Sequence, residues 1–385
     1  MSIELMDLEK GEKYFFYVDK AGGNSVEKFN VVMKEPINLE KMEKAAKSAV
    51  EAFPLFGMRP VVDKDGWLFL TKNPLPVLVE EESDQVKVLG TEETNGYLFR
   101  IICKNTELFI NAHHSLGDGR TIMAFGMTVV YYYLLEAGIN VDAKGMVYTK
   151  EDLKEPTLLS AFLKDAAKVE CGESKGAYYP QNVFTFPKPD PGEQLDEGLY
   201  LVTWDSRELI SYTKSHQITP TPFIATIIAN VIHDMFSVGE KHIVFGIPVD
   251  MRGKMNSRSQ RNYIGNIRLP YYPEYRELPF EEQAKRLKAD MDVQMDMSNI
   301  IPRVLGLEKV IDGMIQTPLC ENEVKESPQR SGAVAQSILL TNVGRLALPE
   351  GMEDYIKEVQ IYTSSKGGKA AAGMLTMGNR GTMFL

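Results

Sequence analysis

Cysteine is scarce in this chain, with 3 residues at Cys103, Cys171 and Cys320, widely spaced and without a Cys-x-x-Cys pair. Such usage excludes a disulfide framework and a zinc ribbon, and it points to a reducing compartment. Cys103 lies in an apolar strand pattern and reads as core rather than as a nucleophile. Positive charge is also short: 43 Lys and Arg stand against 53 Asp and Glu, a net charge of -10. A partner such as nucleic acid or an anionic membrane needs an extended basic surface, so neither is expected. Long apolar runs are missing too. The longest, around Ile122 to Leu135, is too short and too mixed to span a bilayer, so no membrane insertion is expected. Met1-Ser2-Ile3-Glu4-Leu5 shows no basic segment followed by an apolar one, which leads us to expect no secretory signal and a cytoplasmic location. No Walker sequence, dinucleotide fingerprint or zinc-protease motif occurs, and there is no internal repeat or low-complexity tract.

What remains is a chain of 385 residues with 44% hydrophobic and 25% charged residues, the composition of a globular protein. Its length is too great for one compact core and suits two domains.

The most informative stretch is Asn111-Ala112-His113-His114-Ser115-Leu116-Gly117-Asp118-Gly119-Arg120, which holds two of the 5 histidines. Thr106 to Ile110 before it reads as a strand, and Thr121 to Leu135 after it as a helix. Adjacent histidines at a strand end project to opposite faces, so His113 and His114 are not expected to share one task. Gly117 and Gly119 bracket Asp118 and free the backbone there, placing a carboxylate to anchor the loop. Three readings of the cluster compete: a satisfied structural histidine pair, a metal site formed by both histidines and Asp118, and a histidine general base oriented by its loop. The opposed directions of the histidines disfavour the metal site, and the glycine-bracketed aspartate favours the base.

His-His-x-x-x-Asp-Gly resembles the signature of the chloramphenicol acetyltransferase-like superfamily, which includes alcohol acyltransferases, plant-type acyltransferases and peptide-synthetase condensation domains. The resemblance implies that His114 is the base, that His113 is positional, and that Asp118 points away from substrate into an ion pair that holds the loop. It also implies an α/β fold of two similar subdomains, each a mixed sheet covered by helices, with an active-site tunnel between them.

Along the rest of the chain, Tyr14 to Val18 and Phe29 to Met33 read as strands. Asn38 is placed to cap a helix with Leu39, Met42, Ala46 and Val50 at helical spacing. Asp63-Lys64-Asp65-Gly66 is a hairpin turn leading into Trp67 to Leu70. Leu158 to Val169 reads as a helix. Between 172 and 198 prolines and glycines break the pattern, giving an expected linker between a first unit, 1–171, and a second, 199–385. In the second unit Leu199 to Trp204 is a strand, Pro222 to Ile232 a helix, His242 to Asp250 a strand covered on both faces, and Phe280 to Met297 a charged amphipathic helix with a solvated face.

Pro248 to Arg252, Tyr263 to Asn266 and Leu340 to Gly344 are similar to second-domain landmarks of the same superfamily. Arg252 follows a buried strand and needs a partner. It either pairs with Asp118, as in some relatives, or sits at the surface beside Asp250. Asn266 and Asn342 either touch ligand or cap turns. Thr363 and Ser364 stand where plant-type relatives carry Asp-Phe-Gly-Trp-Gly, which is absent here, so their hydroxyls either donate to substrate or lie on a loop. Gly172-Glu173-Ser174-Lys175-Gly176 matches Gly-x-Ser-x-Gly but lacks a preceding strand and a following helix, so it is no nucleophile elbow. The expected activity is transfer of an acyl group from an acyl-CoA co-substrate to a small alcohol or amine, without metal. His114 would act as base, and the loop amides near Gly119 would face the oxyanion. An acyl or peptidyl carrier protein is the other donor considered, and a catalytically silent binding module of the same fold the other role.

Overall fold

A computed structural model describes residues 5–20, 24–82, 85–174, 176–187, 200–316, 318–319, 336–362 and 370–384. The chain opens with helix α1 (Lys10–Lys20), strand β1 (Val26–Met33) and helix α2 (Leu39–Ala52). The hairpin β2 (Met58–Val62) and β3 (Leu68–Lys72) follows, then β4 (Val79–Glu81), β5 (Phe99–Lys104) and β6 (Glu107–His113), which runs into α3 (Gly119–Glu136). Next come α4 (Phe162–Ala166), β7 (Leu201–Asp205), α5 (Ser206–Ser215), α6 (Pro220–Met235), β8 (Ile243–Asp250) and β9 (Ile264–Tyr271). The rest is α7 (Phe280–Gln294), α8 (Met297–Ile315), β10 (Ile338–Arg345), β11 (Ile356–Tyr362), β12 (Ala370–Met377) and β13 (Arg380–Phe384).

Two mixed sheets carry the fold. The first has the order β11-β1-β6-β5-β4 and the second β7-β13-β12-β10-β8-β9. Each mixes parallel and antiparallel pairs: β4 runs parallel to β5, and β10 runs parallel to both β8 and β12. Each sheet has its own apolar core. Leu108, Ile110 and Ala112 of β6 alternate inwards beneath α2 and α3. Ile243 to Ile247 of β8 are buried without alternation, as a strand covered on both faces requires. Residues from all three expected segments mix across these cores: Phe162 and Phe184 belong to the second, while β11 extends the edge of the first sheet and gives it Ile356, Val359 and Ile361.

Local chemistry explains most boundaries. Asn38 caps α2, its side-chain oxygen accepting from Lys41 N–H at 3.0 Å. Gly66, at φ 86°, makes the β2–β3 turn. Three expectations need correction. Tyr14 to Val18 is helical, inside α1; its aromatic run has strand propensity, but Phe15 and Phe16 are drawn one to each histidine of the motif, and packing decides. The helix expected over Leu158 to Val169 is reduced to Phe162–Ala166: Leu158 and Ser160 before it are held in turns by Glu155 O and Thr157 O, and Phe162 and Ala166 enter the second core. The expected Phe280 to Met297 helix stops at Gln294, and Asp296 caps a new helix, α8, which tolerates Pro302 in its interior. The amphipathic face of α7 is otherwise as expected, with Ala284 and Leu287 buried. Among the described residues no helix is long and apolar enough to cross a membrane.

Candidate active site

The motif sits where β6 ends. His113 is its last strand residue, paired with Val26 of β1, and His114 to Leu116 form a single tight turn before α3. The two imidazoles take different environments, as the strand geometry predicts. His113 is 4% exposed. Its Nε2 lies 3.2 Å from Asp19 Oδ2, and its Nδ1 accepts from Ser115 N–H at 3.2 Å, with Ser115 Oγ at 2.6 Å. Both nitrogens are therefore occupied, which suits a positional residue. Burial alone would raise the Asp19 carboxyl, but hydrogen bonds from His113 and Ser25 hold it below the usual carboxylate range.

His114 keeps a side-chain exposure of 24%. Phe15 lies flat on its ring, with centroids 4.1 Å apart and planes 8° from parallel. Its Nδ1 is 3.5 Å from Asn262 Nδ2, and its Nε2 is 3.6 Å from Glu27 Oε1. Its backbone N–H donates to Ser25 O at 2.7 Å, which fixes the turn.

Asp118 turns the other way and is 1% exposed. Oδ1 caps α3 by accepting from Thr121 N–H at 3.0 Å. Oδ2 accepts from Arg252 Nη2 at 2.7 Å and from Tyr263 N–H at 2.9 Å. Gly117 allows this close return, since a Cβ there would meet Thr121 Cγ2 at 2.6 Å. Arg252 also donates to Asp250 Oδ1 at 3.0 Å and through Nε to Ser259 O at 2.6 Å. It is buried, so the pairing with Asp118 holds, and Asp250 is reached from inside the protein, not at the surface. Against the burial that would raise it, Arg252 and Arg120 keep the Asp250 carboxyl below its ordinary value.

A single loop between β8 and β9 thus ties the second sheet to the motif. Arg252 and Tyr263 hold Asp118, Asn262 reaches His114, and Arg261 pairs with Glu12 of α1 at 2.5 Å. The metal reading fails on this geometry: His113 is fully bonded, Asp118 faces an arginine, and no group of three metal-binding side chains converges among the described residues.

The other expected residues disperse. Gly119 opens α3, beside Ile361 of β11. Asn266 lies on β9 and accepts from Arg268. Asn342, at the end of β10, donates to Thr221 Oγ1 at 3.0 Å and accepts from Gly344 N–H at 2.9 Å, which makes it a turn former. Among the described residues neither asparagine is bonded to a histidine. Thr363 and Ser364 lie outside the described residues. Ser174 of Gly-x-Ser-x-Gly is bonded to Asn299, with no strand before it. Phe15, Glu27 and Asn262 were not anticipated; each is far from the motif in sequence, and no local pattern marks them.

No protein-family model matches the sequence, and no curated protein is detectably similar to it. Solved structures are similar throughout. Polyketide synthase associated protein 5 from Mycobacterium tuberculosis matches with a TM-score of 0.60 at 13% identity, over 98% of this chain and 92% of its own. TRI101 of F. graminearum, solved with coenzyme A and deoxynivalenol, matches with a TM-score of 0.63 at 11% identity, over 99% and 94%. The first condensation domain of the CDA synthetase gives 0.60 at 11%, over 99% and 90%. The chain has the chloramphenicol acetyltransferase-like fold. The β8–β9 loop is one of the contacts between its two sheets; β11 also packs against β12 and β13.

Proposed function

We propose that this protein is an acyltransferase that moves an acyl group from an acyl-CoA thioester to the hydroxyl or amine of a small acceptor, with His114 as general base. The observation that carries the reading is the division of labour at the motif: His113 and Asp118 are buried and fully bonded, while His114 alone is clamped in one plane and left partly open. That is the arrangement a positioned base needs. The fold shared with TRI101, which was solved with coenzyme A, makes CoA the first donor to test. The fold shared with a condensation domain makes a carrier-bound thioester the second.

In the proposed step the acceptor oxygen or nitrogen attacks the thioester carbonyl as a His114 ring nitrogen takes its proton. The tetrahedral adduct then collapses, the C–S bond breaks, and the imidazolium returns the proton to the departing thiolate. Acylated acceptor and free thiol leave, and the enzyme is unchanged. Backbone N–H groups at Gly119, and the side chains of Asn266, Thr363 and Ser364, are the groups proposed to meet the oxyanion or the substrates, while Asn342 is spent on its turn. His113, Asp118 and Arg252 hold the loop.

The test is thiol release from a panel of acyl-CoA thioesters with a pooled set of alcohols and amines, run beside pantetheinylated carrier-protein thioesters. Release that requires acceptor supports the transferase, and the better donor class identifies the partner. Release from no donor of either class, by folded protein, would overturn the activity in favour of a silent module of this fold.

A further inference from the structure

We propose that Glu27, on the first strand of the N-terminal sheet, is the carboxylate partner of His114: a positioning residue that holds the ring's Nε2–H and balances its positive charge while the ring carries the acceptor's proton. The proposal rests on the reading of His114 as base and names a residue that the motif does not contain.

The geometry leads to it by elimination and by contact. Asp118, the carboxylate of the motif, is bonded to Arg252, Tyr263 N–H and Thr121 N–H. Asp19 is bonded to His113. Neither is available to His114. Glu27 Oε1, by contrast, lies 3.6 Å from His114 Nε2, and the Glu27 side chain is only 14% exposed. Strand pairing makes the approach rigid: Glu27 stands opposite Ala112 and Val26 opposite His113, so the carboxylate is one ladder position from the motif. Phe15 fixes the ring plane and Asn262 sits at the other nitrogen.

A largely buried carboxylate ordinarily has a cation or several N–H donors. Among the described residues Glu27 has neither salt bridge nor hydrogen bond to any other group, and His114 is the titratable group that acts on it. The two arginines of the β8–β9 loop are engaged elsewhere, Arg261 with Glu12 and Arg252 with Asp118 and Asp250. Burial pushes the Glu27 carboxyl up, and the facing imidazole pulls it back. A gap of 3.6 Å is just beyond a hydrogen bond, and such pairs tighten when substrate excludes water. In the resting ring Nε2 then carries the hydrogen, and Nδ1, beside Asn262, takes the proton from the acceptor. The logic is that of the aspartate behind a catalytic histidine in a serine hydrolase, with the carboxylate supplied by a neighbouring strand.

The experiment compares wild type, Glu27→Gln, Glu27→Asp and His114→Ala in two readouts. The first is the pH profile of thiol release; the second is ¹⁵N NMR of the histidine rings in the full chain, which needs no activity. Expected are an Nε2–H tautomer for His114 in wild type, and a fall of at least about tenfold in kcat for Glu27→Gln with a smaller change in KM. The acidic limb of the profile and the His114 ring titration should both move to lower pH in that variant, because the carboxylate no longer favours the protonated ring. Glu27→Asp, which keeps the charge, should recover part of the loss. An Nδ1–H tautomer, or a Glu27→Gln protein with the ring titration of wild type, overturns the pairing whether or not turnover is found. If wild type transfers nothing while the ring titration moves, the acyltransferase reading fails and the pairing stands.

Discussion

Asp118→Asn removes one charge and few atoms, and its cost follows from the bonds that Asp118 makes. One carboxylate oxygen serves Thr121 N–H and the other serves Arg252 and Tyr263 N–H. Asparagine has one acceptor oxygen, so whichever side keeps it, an NH2 group faces a donor on the other. If the oxygen stays on the helix, Arg252, 6% exposed, loses its closest counter-charge. Breaking a buried pair from one side costs about 3–5 kcal/mol, and Asp250 as a second partner for Arg252 places this case near 3. If the oxygen turns to Arg252 instead, the helix cap is lost for about 1 kcal/mol and the arginine is still uncompensated. At about 2 °C per kcal/mol for a chain of this size, the midpoint of thermal unfolding should fall by about 6 °C. Arg252→Met in the same chain should recover part of that loss, since the stranded cation is gone, giving a coupling of at least about 1 kcal/mol in the double-mutant cycle. Thermal unfolding followed by circular dichroism measures all four proteins. A midpoint for Asp118→Asn within about 1 °C of wild type, or strictly additive losses, would refute the view that this pair locks the two subdomains at the motif.

Three further outcomes are expected. Gly126→Ala should cost about 1–3 kcal/mol in chemical denaturation, because the new methyl would lie 2.3 Å from Phe29 Cε1 in the first core; an unchanged midpoint would contradict the packing of α3 on β1. Burial raises the Glu9 carboxyl to about 7, with Arg261 pulling it the other way. The stability it lends is therefore whole below its ordinary value of 4.5 and fades as pH rises to about 7, so Glu9→Gln should gain on wild type between about pH 4 and 8, and a difference that stays constant with pH would refute this. Arg268 is 6% exposed and has no carboxylate partner among the described residues; burial, helped by Arg303, pushes it down to about 10. Arg268→Met should therefore leave the unfolding midpoint unchanged or higher, and a marked fall would show a partner that the geometry does not.

The parts of the fold that were legible in the sequence are those written in local chemistry. The passage from β6 through His114 to α3 could be read because strand alternation, two glycines and an N-capping aspartate follow one another within a few residues. Asn38 announced α2, and the unbroken apolar run of β8 announced its burial. The different surroundings of His113 and His114 follow from the pleat alone. Other features depend on partners distant in sequence. Nothing near Tyr14 says that its neighbours Phe15 and Phe16 will each find an imidazole, so a strand-like run folds as a helix. Pro302 hides α8, whose packing against α1 and β9 outweighs its cost. The addition of β11 to the first sheet is decided by which edge is open, and an edge has no sequence signature. The candidate site divides in the same way: the histidines, Asp118 and Arg252 were expected, whereas Glu27 and Asn262 reach the ring only through strand pairing and loop closure.

The central claim is that His114 moves the proton in a direct transfer between two bound substrates. Its most direct test is acceptor-dependent thiol release by wild type and His114→Ala, with intact-mass analysis of the protein during turnover. The account predicts a loss of at least about 10²-fold in the variant, an unchanged unfolding midpoint, and no acylated enzyme in either protein. Turnover retained by His114→Ala, or an acyl adduct on the wild-type chain, would contradict it.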